Sequence, residues 1–432
     1  MELTAVLAAA IFLVTFAVIL TDKVHKTVIV LCGGAAMILL GVVSQEDAFA
    51  RVDLSVILLL AGMMIIVHFL AESGLFSYLA IRITQVAKGH PIPLMMLLCF
   101  MTAGSAALVD KVTTVLLMAP IILLITDRLE VPPIPFLLLT VFSSNIGGAA
   151  TLIGAPSNVL IGSAGDLSFN EFVAHLAPIS LVCTVMVAMY GVYLIRHSSF
   201  VASDVRARVM GLNARGAIRD KRLLVKSLCV LGMVLLAFTL HDALGFEPAS
   251  AALGGAAVLL LIARSEPGEA FHSIEWLTLF FFIGLFMLVA GLAVTGILEA
   301  IAMAGLRVSG DNLMIASLML MWGAALASAF MGNIPITTAL IPVVTTAIPR
   351  ITEAGPHSEP VVEMALWWSL ALGACFGGNA TIFASPANLV VTDIARSNRQ
   401  PISFGAHLRA SWPITIGSLL LASLYVAWRY VV

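Results

Sequence analysis

Apolar residues along this chain come in blocks of about twenty with no polar face interleaved, and a block of that length spans roughly 30 Å of hydrocarbon as a helix. Uninterrupted blocks predict helices over 3–20, 27–43, 54–71 and 174–195 in the first half, and over 225–241, 249–263, 276–295 and 412–430 in the second. Four longer blocks, 91–128, 133–161, 313–350 and 361–394, are each broken near the middle by polar residues, glycine or proline. The first block is too long for the apolar core of a secretory leader and reads as a retained helix. Only 196–224 is polar, basic and long enough to be a linker.

The interruptions recur. GGAATLIGAPSN at 147–158 is matched by GGNATIFASPAN at 377–388, with Gly, Gly, Ala, Thr, Pro and Asn at a constant offset of 230. Upstream, ALVDKVTTVLLMAP at 107–120 faces AFMGNIPITTALIP at 329–342, and downstream Ser-Phe at 168–169 and 403–404 opens a segment leading to Pro178 and Pro413. Three matched features in one order indicate an internal repeat. Each half holds five crossings plus one broken segment that returns to its own side, so the second copy enters the membrane upside down. The expected fold is an all-α polytopic membrane protein: two inverted repeats of five transmembrane helices plus a re-entrant hairpin each, with broken helices at the midplane. The first repeat is 1–195 (hairpin 91–128, broken helix 133–161), the linker 196–224, and the second repeat 225–432 (hairpin 313–350, broken helix 361–394).

Composition agrees: 61% of residues are hydrophobic, 11% are charged and the mean hydropathy is +1.08, which excludes a soluble core. Five cysteines, odd in number and mostly within apolar blocks, argue against a disulfide framework. With the N-terminus outside, 17 of the 22 Lys and Arg residues fall on the inner side, eight of them from Arg196 to Lys226, and four outside. The bias predicts both termini on the outer side of the cell's inner membrane and a cytoplasmic 196–224 loop. The basic loop reads as a topology determinant rather than a nucleic-acid site, and it is where a cytoplasmic ATPase subunit would dock.

The remaining basic residue is Lys111, beside Asp110 in a stretch that carries no other charge from Pro91 to Thr126. A charge at membrane depth costs about 2.5–3.5 kcal/mol on insertion scales and is usually functional. The pair lies at a hairpin tip that lacks turn residues and is followed by β-branched Val112, Thr113 and Thr114. The second tip carries Gly332, Asn333 and Pro335, and the broken helices supply Ser143, Ser144, Asn145, Thr151, Ser157, Asn158, Asn379, Thr381, Ser385 and Asn388. Unpaired amides are costly in hydrocarbon, so their recurrence at repeat-related positions predicts a shared polar site of Asp110, Lys111, Thr113, Asn145, Thr151, Asn158, Asn333, Asn379, Thr381 and Asn388. Helix starts created by the breaks suit anions, and exposed carbonyls at the opposite ends suit cations. His68 reads as a buried neutral histidine, Glu72 as water-exposed, and Cys375 as a packing residue next to a break. No phosphate-binding loop, intramembrane metal cluster or Ser–His pair is evident, so neither an ATPase nor an enzyme is indicated.

NIGGAATLIGAPSNVLIG and DKVTTVLLMAP, each with its second-half partner, resemble the ion-transporter superfamily over essentially the whole chain, most closely the branch of arsenite permeases and NhaD-type sodium/proton antiporters (ArsB/NhaD) that includes P-protein-like permeases. The resemblance implies a homodimer with a scaffold and a moving transport domain, no cofactor, and a site between hairpin tips and unwound helices. Sodium-antiporter members read Asp-Asn at both tips. This chain has Asp-Lys and Gly-Asn, which points to H⁺ rather than Na⁺ as the coupling ion, Lys111 serving as an internal cation displaced when Asp110 is protonated. Proton-coupled export of arsenite and antimonite as the neutral trihydroxide, by an elevator mechanism, is the expected function. A Na⁺/H⁺ antiporter or an organic-anion carrier, with Lys111 as the counter-charge, is the alternative.

Overall fold

The computed structural model describes residues 2–20, 24–196, 201–211, 213–240, 245–264, 266–310 and 312–431. Among these residues every regular element is helical, and nine helices are long and apolar enough to cross a membrane. Parts of the predicted linker (197–200 and 212) and the end of the predicted 225–241 span lie outside the described residues.

The first half runs α1 (Glu2–Leu20), α2 (Lys26–Leu39), α3 (Gln45–Ala50), α4 (Leu54–Glu72), α5 (Leu75–Val86), the hairpin α6 (Pro91–Leu108) and α7 (Lys111–Arg128), the broken pair α8 (Pro133–Gly148) and α9 (Pro156–Ala164), and α10 (Phe169–Ile195). A short helix α11 (Ser203–Met210) lies in the linker. The second half repeats that order as α12 (Lys221–Thr239), α13 (Pro248–Ala263), α14 (Pro267–His272), α15 (Trp276–Val294), α16 (Ile297–Ser309), the hairpin α17 (Leu313–Met331) and α18 (Asn333–Ala354), the broken pair α19 (Glu359–Gly377) and α20 (Pro386–Ser397), and α21 (Phe404–Val426).

Local chemistry sets many of the boundaries. Ser168 and Glu171 form a capping box at the start of α10, and proline occupies the first turn of α6, α8, α9, α13, α19 and α20, where its missing N–H costs nothing. Asp220 caps α12 by accepting from the N–H groups of Arg222 (2.8 Å) and Leu223 (3.0 Å). These donors, Leu223 first, hold its carboxyl below the usual aspartate range.

The sequence pattern leaves out four helices. α5 and α16 were expected as loops. They are short, carry Arg82 or Glu299 and Arg307, and bury only one side, so no long apolar run marks them. α3 and α14 are single-turn connectors for the same reason.

Two packing groups follow. In one, α2 crosses α15 and α4 crosses α13 at glycines. A Cβ on Gly284 would lie 2.8 Å from the Leu31 nitrogen, and one on Gly62 would lie 2.7 Å from the Ala252 carbonyl carbon. In the other, α6 crosses α8 at Gly147, where a Cβ would meet the Ala103 oxygen at 2.2 Å. α17 crosses α19 at Gly377, where it would meet the Ala325 oxygen at 2.4 Å. Across the two halves, α7 packs on α20 and α9 on α18.

The two halves are not equal in length. From the hairpin tip onward α7 and α18 correspond at an offset of 222 (Lys111 to Asn333), so Arg128 matches Arg350 and α18 continues four residues further, to Ala354. From the break back, α8 and α19 correspond at an offset of 230, so Pro133 matches Glu363 and α19 starts four residues earlier, at Glu359. The eight additional residues lengthen two neighbouring helix ends by one turn each.

Candidate functional site

The two hairpin tips line one cavity. Val109, Asp110 and Lys111 line the same cavity as Met63 and Met64, midway along α4, and share it with Asn333 and Ile334 of the second tip. The two tips therefore meet inside the molecule.

Their backbones are alike and their chemistry differs. Gly332 takes φ +85°, ψ 158°, a region open to glycine, and Asp110 takes φ +131°, ψ 153° at the corresponding place. A side chain in that region stores about 1–3 kcal/mol of strain and marks functional segments. The Asp110 carboxylate caps α7, accepting from the N–H groups of Val112 (2.7 Å) and Thr113 (3.3 Å), while its carbonyl accepts from the Thr114 hydroxyl at 2.7 Å. It is spent on its own helix rather than on its neighbour. Lys111 is 1% exposed, and its ammonium nitrogen has no hydrogen-bond acceptor among the described residues. Its carbonyl is anchored by the Ser144 hydroxyl at 2.7 Å. Asn333, at the matching position of the other tip, is also 1% exposed and its side-chain N–H₂ has no acceptor. No side chain caps the start of α18, so the first backbone N–H groups of that helix face outward as well.

The breaks are built alike. Asn158 donates to the carbonyls of Thr151 (2.8 Å), Gly148 (3.2 Å) and Ala149 (3.3 Å). Asn388 donates to Thr381 (2.7 Å) and Gly378 (2.8 Å). The Thr151 hydroxyl ties its loop to the Ala107 carbonyl at the end of α6 (2.5 Å), and Thr381 does the same to Ala329 at the end of α17 (2.6 Å). The carbonyls freed by unwinding are thus taken up by amides of the same segment.

Between the breaks the halves are joined by Asn145. It donates to the side-chain oxygens of Asn379 (2.9 Å) and Asn388 (3.0 Å) and accepts from the Ser385 hydroxyl (2.9 Å). The position that matches Asn145 at offset 230 is Cys375, whose thiol donates to Asn158 at 3.4 Å and lies 3.6 Å from the Ser157 hydroxyl. Cys375 is fully buried in packing, as its surroundings in the sequence suggested.

Of the ten residues expected in the site, the structure brings Asp110, Lys111 and Asn333 to the cavity wall. Thr113 is held near it by its backbone bond to Asp110. Asn145, Thr151, Asn158, Thr381 and Asn388 stand behind them with their polar atoms engaged in holding backbone or one another. The Asn379 side-chain N–H₂, behind the second break, has no acceptor among the described residues. The cavity, of about 450 Å³, also carries Lys26, His25 and Glu275 on its wall and rim, which the sequence did not single out. They begin α2 and α15 or precede them, where a polar cap is expected in any membrane helix and gives no separate signal. His407 was missed as well: it is 1% exposed and its ring nitrogen lies 3.2 Å from the Asn379 carbonyl. His68, expected to be buried, is partly exposed and sits 3.9 Å from the half-exposed Glu72 carboxylate one turn on.

Four cavities lie along the seam between the α2–α4–α13–α15 group and the hairpins with their breaks. One, of about 390 Å³, is bordered by Ser55 and Glu247, which hydrogen-bond at 2.5 Å. No group of three or more metal-ligating side chains occurs among the described residues.

Comparison with known proteins follows the same lines. Residues 16–373 match the family model described as CitMHS, citrate transporter. A Mycobacterium tuberculosis protein named as an uncharacterized transporter is 41% identical over 99% of both chains. The human P protein is 29% identical over 99% of this chain and 61% of its own. Among solved structures, the YdaH transporter of Alcanivorax borkumensis superposes with a TM-score of 0.60 at 17% identity, over 88% of this chain and 85% of that one; the likeness is one of fold.

Proposed function

This chain belongs to the citrate transporter (CitMHS) family of membrane transporters, and on that premise we propose that it is a secondary transporter that carries a small organic anion bound between its two hairpin tips. One observation carries the reading: two residues of the tip cavity wall, Lys111 and Asn333, have buried side-chain nitrogens with no acceptor among the described residues, and the start of α18 at Asn333 has no side-chain cap. Buried donors left unpaired cost free energy, and a bound carboxylate supplies the missing acceptors in charge-assisted hydrogen bonds.

The same geometry weighs against the other readings. A sodium site needs free oxygens, and the carbonyls of Gly148, Ala149 and Thr151 in the first break and of Gly378 and Thr381 in the second already accept from Asn158 and Asn388. Neutral arsenite brings hydroxyl oxygens that accept from Lys111 and Asn333 but no charge to offset the Lys111 ammonium. The nearby thiol of Cys375 is not part of the cavity wall. Export of arsenite by the ArsB-like route is therefore the second reading, kept because Asp110 supplies one acceptor.

Proton coupling rests on Asp110. Protonation removes the cap of α7 and leaves Lys111 as the dominant charge, which favours loading of the anion from the acidic side. Movement of the hairpins and breaks as one body past the α2–α4–α13–α15 group, elevator fashion, is supported by the cavities along that seam. The charge bias of the loops orients the 196–224 face inward.

The test is uptake into proteoliposomes under an imposed pH gradient, comparing radiolabelled organic acids, arsenite and sodium. Gradient-driven uptake of an organic acid, lost in Lys111→Met and partly kept in Lys111→Arg, is the expected result. Arsenite or sodium flux with no response to any organic acid refutes it.

A further inference from the structure

The tip cavity has a head and a body of different chemistry. At the head, Lys111 and Asn333 are each 99% buried with side-chain nitrogens that have no acceptor among the described residues, and no side chain caps the start of α18. That inventory fits one carboxylate, whose two oxygens offer about four acceptor sites. Beyond the head the wall is largely apolar, with Leu59, Met63 and Met64 from α4, Phe281 from α15, Ile153 from the first break and Ile334, and it is interrupted by Lys26, Thr27, Glu275 and Thr278.

The charges on the wall balance. Lys26 and Lys111 stand against Asp110 and Glu275, with His25 at the rim. A single carboxylate adds one negative charge to a neutral enclosure. A citrate-like tricarboxylate adds up to three, more than the two wall cations Lys26 and Lys111, and leaves at least one against apolar wall where unpaired ions are strongly disfavoured.

A second cavity of about 440 Å³ adjoins the first and shares Phe281, Asn333 and Ile334 with it. Its far wall is Phe330, Phe383 and Phe404, the last two stacked with ring centres 6.2 Å apart, and all three are exposed at the outer edge. The two cavities thus adjoin, and the far wall of the second is aromatic.

Building on the organic-anion reading, we infer that the solute is an amphipathic monoanion: a monocarboxylate or similar single-headed acid with a branched or aromatic body. Its head lies at Lys111 and Asn333, and its body lies against Met63, Met64 and Phe281. Methionine pairs on one helix adapt to differently shaped bodies, so the site selects for one charge and apolar bulk rather than for one compound.

The experiment is thermal unfolding of the purified full chain in a non-ionic detergent, with acetate, isovalerate, phenylacetate, succinate, citrate and neutral phenylacetamide as probes. Binding, not flux, is read because small acids cross bilayers unaided. Apparent affinity is expected to rise from acetate to isovalerate to phenylacetate, by about fourfold per buried methylene, with no response to succinate, citrate or phenylacetamide. Met63→Gln is expected to lower the phenylacetate affinity roughly tenfold and leave acetate unchanged, while Asn333→Ala weakens both by about the same factor. Stabilisation by citrate or succinate without phenylacetate overturns the inference and leaves the organic-anion reading standing. No response to any anion overturns both, and an equal response to phenylacetamide and phenylacetate overturns the placement of the head.

Discussion

Replacing Asn145 by alanine tests whether the bond between the two halves holds the centre of the molecule together. The side chain contacts Asn379, Asn388 and Ser385, residues more than 230 positions away, and the substitution leaves three buried polar groups without that partner. Hydrogen bonds inside membrane proteins average about 0.6 kcal/mol and reach about 1.7, so the loss is about 2–5 kcal/mol. With an unfolding entropy of about 2.1 cal/mol/K per residue, the 432-residue chain loses about 1 °C per kcal/mol. The expected shift is therefore about 2–6 °C, measured by thermal unfolding in detergent. A cycle with Asn388→Ala isolates the cross-half bond, and a coupling of about 0.6–1.7 kcal/mol is expected. Additivity within about 0.3 kcal/mol would refute the reasoning, because the Asn145–Asn388 contact would then carry no energy. Asn158→Ala, confined to one half, serves as the comparison.

Three further outcomes follow from the geometry. Gly147→Ala and Gly377→Ala force α6 from α8 and α17 from α19, since the new Cβ meets a carbonyl oxygen at 2.2 and 2.4 Å; each should cost about 1–3 kcal/mol or more, while Gly104→Ala, with nothing within 4 Å, leaves the yield of folded protein unchanged. Asp110→Gly should alter stability by less than about 1 kcal/mol, because relief of strain offsets the lost cap, whereas Asp110→Ala keeps the strain and loses about 0.5–2 kcal/mol; both are read by thermal unfolding. Asp220 is depressed by its N–H donors, so its capping is fully present above the ordinary carboxylate range and is lost as pH falls through the lowered value. Hydrogen exchange at Arg222 and Leu223 should be faster in Asp220→Ala than in the native chain at neutral pH, and the difference should vanish in strong acid.

Much of the fold is legible because hydrocarbon demands long apolar helices, and any polar interruption must then have a reason. The hairpins, the breaks and their order in the two halves come from that single constraint, and the Gly-Gly and Thr-Pro-Asn spacing carries the correspondence. α5 and α16 escape because helices of 12 and 13 residues that carry Arg82, or Glu299 and Arg307, form no uninterrupted apolar run of membrane-spanning length. Within the site, the sequence names the right polar residues but cannot say which are engaged. Asn158 and Asn333 read alike as amides in a break, yet one saturates carbonyls of its own loop and the other keeps its donors. That difference depends on which backbone oxygens the unwinding leaves within reach. The apolar walls contributed by α4 and α15 give no signal either, because Met63, Met64 and Phe281 sit in spans that would be apolar in any membrane protein.

The extra turn on α18 and its counterpart on α19 bears on how such a molecule tolerates change. Four residues exceed one helical turn by only 0.4 residue, so each lengthened helix rotates by about 40° at its end while the membrane-embedded register stays as it was. The duplicated core could therefore keep its packing while one end grew by about 6 Å. The loop between Ala354 and Glu359 is accordingly a natural place to insert a tag or a fluorophore, leaving every glycine crossing and both hairpin tips in place.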